Sequence, residues 1–130
     1  MERYLFNEEQ LPNGFLFPCS FLEFVARDPI PDLEPWWFFC KFKDHADAWI
    51  NALRRLYPNR HLIPFAKMQD SDDVACFDAS GPSVDPRVYY VHAYASPGWE
   101  DRGSVTNFTE WLRAAEEESR RYKSENHDDI

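Results

Sequence analysis

The chain is predicted to fold as an α+β domain: a mostly antiparallel sheet, built as a central meander, with helices packed on it. The strongest signal is the stretch from Leu62 to Ala79. Two short apolar runs of strand character there flank Gln69-Asp70-Ser71-Asp72-Asp73, a turn dense in carboxylates. Such a loop is long enough for an antiparallel reversal and too short for a parallel crossover. Period-two aromatics predict two further strands, and apolar spacings of three and four predict helices.

The chain has 130 residues, room for one domain with a real core. Residues 1–118 are assigned to that domain, and 119–130 to a polar helix end and a frayed tail. At 44% hydrophobic and 17% aromatic, the composition demands a packed fold rather than a disordered chain. The formal net charge is -9, with the acidic excess in the second half. That balance repels phosphate backbones and anionic lipids, so neither nucleic acid nor a membrane surface is an expected partner. A basic protein would be attracted and its approach accelerated.

Cys19, Cys40 and Cys76 are odd in number, lack Cys-x-x-Cys spacing and sit in apolar surroundings. They read as buried free thiols of a reducing compartment. The charged start, with Glu2, Arg3, Glu8 and Glu9, is not a signal-peptide pattern, and the expected location is cytoplasmic.

From the N-terminus, Tyr4, Leu5 and Phe6 open an irregular arm that turns at Pro12-Asn13-Gly14. Ser20 and Glu23 have capping-box spacing and predict a short helix burying Phe21, Phe24 and Val25. Pro29, Pro31 and Pro35 then enforce a connection. From Trp36 to Phe42, alternation predicts a strand with Trp36, Phe38, Cys40 and Phe42 on one face. The adjacent tryptophans read as sheet core. Asp44 begins a helix whose stripe is Ala46, Trp49, Ile50, Leu53, Leu56 and Tyr57, stopped by Pro58. After the hairpin and a loop of turn residues, Val88 to Ala95 reads as a strand and Ser96 to Gly103 as a loop. Asn107 and Glu110 form a second capping box, opening a helix with Phe108, Trp111, Leu112 and Ala115 inward.

No catalytic residue, metal site or cofactor is expected. The tip carboxylates Asp70, Asp72 and Asp73 lack EF-hand spacing and its glycine, and read as a solvated turn. Cys76 and His92 are the one thiol–imidazole pair on neighbouring strands, without a motif that marks a nucleophile and its base. His45, His61 and His92 have no metal-ligand spacing. What is left is a surface: Trp99, Glu100 and Asp101 in one loop, joined to Asp70, Asp72 and Asp73 if the tip lies nearby. An aromatic anchor ringed by carboxylates suits a basic protein patch, whereas a Trp99 folded back onto the core would abolish it.

Three stretches resemble the SUKH superfamily, the Smi/Knr-like domain. Pro18-Cys19-Ser20-Phe21-Leu22-Glu23-Phe24 is similar to its early Pro-x-x-aromatic helix. Leu62-Ile63-Pro64-Phe65-Ala66, the acidic turn and Val74-Ala75-Cys76-Phe77-Asp78 resemble its central hairpin. Asn107-Phe108-Thr109-Glu110-Trp111-Leu112 resembles its closing helix start. The chain departs from the pattern where Gln69 to Asp73 replaces the usual glycine–aspartate pair of the hairpin turn. The resemblance implies an α+β fold and a non-enzymatic immunity protein, which binds and neutralises a cognate toxin domain, often a basic nuclease. Two other expectations stand beside it: an intracellular regulator or scaffold like the fungal members, and a small-molecule binder or enzyme using a cleft between sheet and helices.

Overall fold

Hairpin logic runs through the whole sheet. In the computed structural model, which describes residues 3–127 apart from Asn13 and Pro82, five strands pair in chain order and all antiparallel. They are β1 (Trp36–Phe38), β2 (Leu62–Met68), β3 (Asp73–Asp78), β4 (Val88–His92) and β5 (Asp101–Val105). Three helices accompany them, α1 (Cys19–Val25), α2 (Lys43–Leu56) and α3 (Phe108–His127). The α+β class and its antiparallel sheet are as the sequence predicts, and the Trp36 strand joins the same sheet.

The helices divide between the two faces. Alternation in β1 sends the Trp36 and Phe38 rings against Trp111 of α3, and the Trp37 ring against Phe42 and His45 where α2 begins. On the α1/α3 side, Phe77 is fully buried and meets Phe15, Phe17, Phe21, Phe65 and Phe108. On the other side α2 packs along β2, burying Ala46, Ile50 and Leu53 at helical spacing. A register shift between Pro64 and Ala66 frees Phe65 to stack on Phe77 with centroids 4.4 Å apart. β1 covers only Ala66 to Met68, so the missing N–H of Pro64 falls on a half of β2 that has no second neighbour.

Several local expectations change. The first strand stops at Phe38; a 3-10 turn takes Phe39–Lys41 instead, with the Cys40 carbonyl accepting the Tyr4 N–H of the N-terminal arm at 2.8 Å. Phe42 therefore does not continue a sheet face and stands 44% exposed. At α1 the capping box does not form: the Pro18 carbonyl accepts from Phe21 and Leu22 N–H, which starts the helix at Cys19 and places Ser20 inside it. Cys19 is exposed, contrary to the buried-thiol expectation, while Cys40 and Cys76 are buried.

At α3, Asn107 Oδ1 accepts the Glu110 N–H at 3.0 Å and the Glu110 carboxylate accepts the Thr106 N–H at 3.3 Å, a capping box shifted by one residue. The polar helix end expected after Glu118 is part of the same helix. It runs on to His127, with Ser119 buried, the Gln69 amide donating to the Tyr122 hydroxyl at 2.9 Å and Lys123 Nζ donating to the Asp32 carbonyl at 2.7 Å. Residues 128–130 of the expected tail lie outside the described residues, as does Asn13 of the predicted N-terminal turn. The loop expected to last until Gly103 yields to β5 at Asp101.

Candidate functional site: an acidic and aromatic end of the sheet

Antiparallel register decides which loops are neighbours. Asp73 opens β3 and pairs with His92, the last residue of β4, while Asp101 opens β5 and pairs with Val91. The β2–β3 tip and the β4–β5 loop therefore emerge side by side. Backbone bonds stitch them together: Ala93 N–H donates to the Asp72 carbonyl at 3.0 Å, and His92 N–H to the Glu100 carbonyl at 2.7 Å. All six predicted surface residues thus lie at one end of the sheet.

Within that cluster the carboxylates differ. Asp73 belongs to the strand rather than the turn, and its side chain accepts from Ser71 Oγ at 2.9 Å and meets His92 Nδ1 at 2.7 Å. Glu100 accepts the Gly98 N–H and Asp101 accepts the Gly103 N–H, each at 3.0 Å, so both shape their own loop. Asp70 and Asp72 are exposed, and their carboxylates have no hydrogen bond or ion pair among the described residues. Trp99 does not fold back: it is 71% exposed, held by its carbonyl accepting from Arg102 Nε at 3.1 Å.

Aromatic residues that the sequence reading did not single out extend this end. Tyr94 is 55% exposed and has φ 66, a left-handed conformation that costs a bulky residue about 1 kcal/mol or more. Its ring lies 6.2 Å from that of Trp49 on α2. Lys67 Nζ sits 5.7 Å from the centroids of both Trp49 and Trp37. Beyond Trp37, its ring together with Phe42 and His45 lines an open cavity of about 340 Å³. Only the left-handed Tyr94 lacked any signal; Phe42 stands between two lysines, which is unusual company for a core ring.

The thiol–imidazole pair does not form. Cys76 pairs with Tyr89 and His92 with Asp73, an odd number of residues apart on each strand, so the two side chains point to opposite faces. Burial also pushes the Cys76 thiol far above its ordinary value, which removes its nucleophilic form. Among the described residues no three metal-ligating side chains converge, the tip carboxylates included, and no helix is long and apolar enough to cross a membrane. Comparison with known proteins finds no matching family model, no matching curated protein and no matching solved structure.

Proposed function

We propose that this chain is a non-enzymatic binding domain that neutralises a basic toxin domain by docking the acidic, aromatic end of its sheet onto it. One observation carries this reading: two carboxylates without internal partners, Asp70 and Asp72, share that end with an exposed Trp99 and an exposed, left-handed Tyr94. A bulky residue held in such a conformation at the surface supports a role beyond its contact with Trp49. Aromatic rings supply contact area at low entropic cost, and free carboxylates steer a cationic partner and reject an anionic one. The net charge of -9 adds long-range attraction for the same partner. The resemblance to SUKH immunity proteins supports the same role.

The test is co-expression with basic toxin domains, beginning with any encoded beside this protein's gene. Growth should be restored, and the purified pair should associate with a rate that falls steeply as salt rises. Trp99→Ala combined with Asp72→Ala should leave the fold intact and weaken binding by about a hundredfold, two contacts of roughly 1.4 kcal/mol each. Unchanged protection and affinity in that double variant would remove this surface from the interface.

A further inference from the structure

The acidic end leaves a second exposed surface unexplained, the start of α2 beside β1. Trp37, Phe42 and His45 pack edge to face there, so the rings brace one another, and they line an open cavity of about 340 Å³. Ligand clefts run from about 300 to 1,000 Å³, and this one has room for a single large side chain. The charge around it runs against the -9 of the whole chain. Lys41 and Lys43 flank Phe42 in the chain and are both exposed, and Lys67 Nζ stands 5.7 Å from the Trp37 ring centroid. Lys43 pairs with Asp47 at 3.0 Å and Lys67 Nζ donates to the Met68 carbonyl at 2.9 Å, whereas Lys41 has no ion pair or hydrogen bond among the described residues. Phe42 also precedes the first turn of α2, and its side chain makes no capping bond, so the positive end of this 14-residue helix is turned to the same surface without a cap. Asp44 is the acidic residue of that first turn.

We infer that this cavity docks an acidic segment of another protein, with a large aromatic side chain seated on the rings and flanking carboxylates set towards Lys41, Lys67 and the start of α2. Charge complementarity selects this occupant. A cationic segment would meet three lysines and the positive end of a helix, and a purely apolar one would leave Lys41 without a counter-charge. The aromatic walls supply the contact area, while exposed ion pairs at the rim supply selectivity more than affinity. This site stands apart from the proposed toxin interface: that partner is basic and meets the acidic end of the sheet, whereas this one is acidic and meets the start of α2.

The probe is the blocked tripeptide Ac-Glu-Phe-Glu-NH2, titrated at low salt and followed by heteronuclear NMR on the intact chain. Ac-Gln-Phe-Gln-NH2 and Ac-Lys-Phe-Lys-NH2 serve as its neutral and cationic counterparts. The glutamate peptide should shift the Trp37 indole N–H signal and bind about five to ten times more tightly than the glutamine peptide, as two exposed ion pairs would give. High salt should remove that preference. Lys41→Glu should abolish it while leaving binding of the glutamine peptide unchanged, and Phe42→Ala should weaken both peptides alike. Both positions are exposed, so the spectra should stay otherwise native. Equal binding of the glutamate and glutamine peptides, or tighter binding of the lysine peptide, would overturn the inference. So would undiminished binding to Phe42→Ala. Trp37 shifts that grow with protein concentration and vanish in Trp99→Ala would make a second copy of this chain the occupant and overturn it too. Trp99→Ala with Asp72→Ala should leave the glutamate-peptide preference in place, so the toxin interface and this site fail independently.

Discussion

His92 Nδ1 and Asp73 Oδ1 face each other at 2.7 Å across the β3–β4 register, a side-chain bond at the point where the acidic tip meets the β4–β5 loop. Both side chains are partly exposed, so screening keeps the pair's contribution modest. Asp73→Ala is expected to lower stability by about 1 kcal/mol, read from the midpoint of urea unfolding. It should also broaden the NMR signals of Asp72 and Ala93, whose backbone bond the pair supports. Sharp, unshifted signals there would mean the backbone bond alone holds the two loops together.

Phe77 offers the opposite case, an interior residue with no role at the surface. It is fully buried among five other phenylalanine rings, so Phe77→Ala should cost about 3–5 kcal/mol, the transfer term plus the cavity left behind. Denaturant unfolding measures this directly. A loss below about 2 kcal/mol would mean that the arm residues Phe15 and Phe17 collapse into the space.

Tyr94 inverts the usual expectation for deleting a large aromatic. Glycine adopts φ 66 without steric cost, so Tyr94→Gly relieves backbone strain while losing the edge contact with Trp49. Thermal melting should show a change of no more than about 1 kcal/mol in either direction. Partner binding should nevertheless weaken. A variant that melts far lower would mark Tyr94 as a structural wedge rather than a presented ring.

Stability should fall at both ends of the pH scale, through different groups. The Tyr4 hydroxyl donates to Asp47 Oδ1 at 2.5 Å, and this bond, helped by Gln10 and Lys43, holds the Asp47 carboxyl below its usual range. A lowered folded value means a contribution that is complete above about pH 4 and lost as the pH falls through it. Tyr90 runs the other way. Burial, aided by the nearby Glu118 charge, pushes its phenol up to about 12. Its contribution is complete below about pH 10 and disappears between there and about 12. Urea midpoints across pH should show both limbs, with Asp47→Asn flattening the acid one and Tyr90→Phe the alkaline one. Limbs unaltered by these substitutions would assign the dependence to other groups.

What could be read in advance follows from where apolar residues cluster. Leu62 to Met68 and Asp73 to Asp78 carry short buried apolar runs on either side of a turn of carboxylates, and Ala46, Ile50 and Leu53 recur at helical spacing, so sequence alone reveals these elements. β5 is the counter-example: Asp101-Arg102-Gly103-Ser104 is exposed throughout, and an edge strand with no apolar face leaves no pattern to find. The 3-10 turn at Phe39 depends on the N-terminal arm, whose Tyr4 N–H donates to the Cys40 carbonyl, a contact far apart in the chain. At the site, the carboxylates and Trp99 are visible as residue types. The cavity lined by Trp37, Phe42 and His45 is legible only in part, through Phe42 standing between two lysines, since these rings come together only when the strand ends early.

Because spatial order in the sheet equals chain order, every strand finds its partner in the segment that directly precedes or follows it in the sheet's sequence. Loop-closure entropy is then low for β2–β3 and β3–β4, and those pairings can form early without waiting for distant segments. The exception is the seam between α1 and α3, which joins the two ends of the chain. Kinetic unfolding should therefore begin at that seam: substitutions in it would speed unfolding more than they slow folding, whereas substitutions in the β2–β3 hairpin would act mainly on the folding rate.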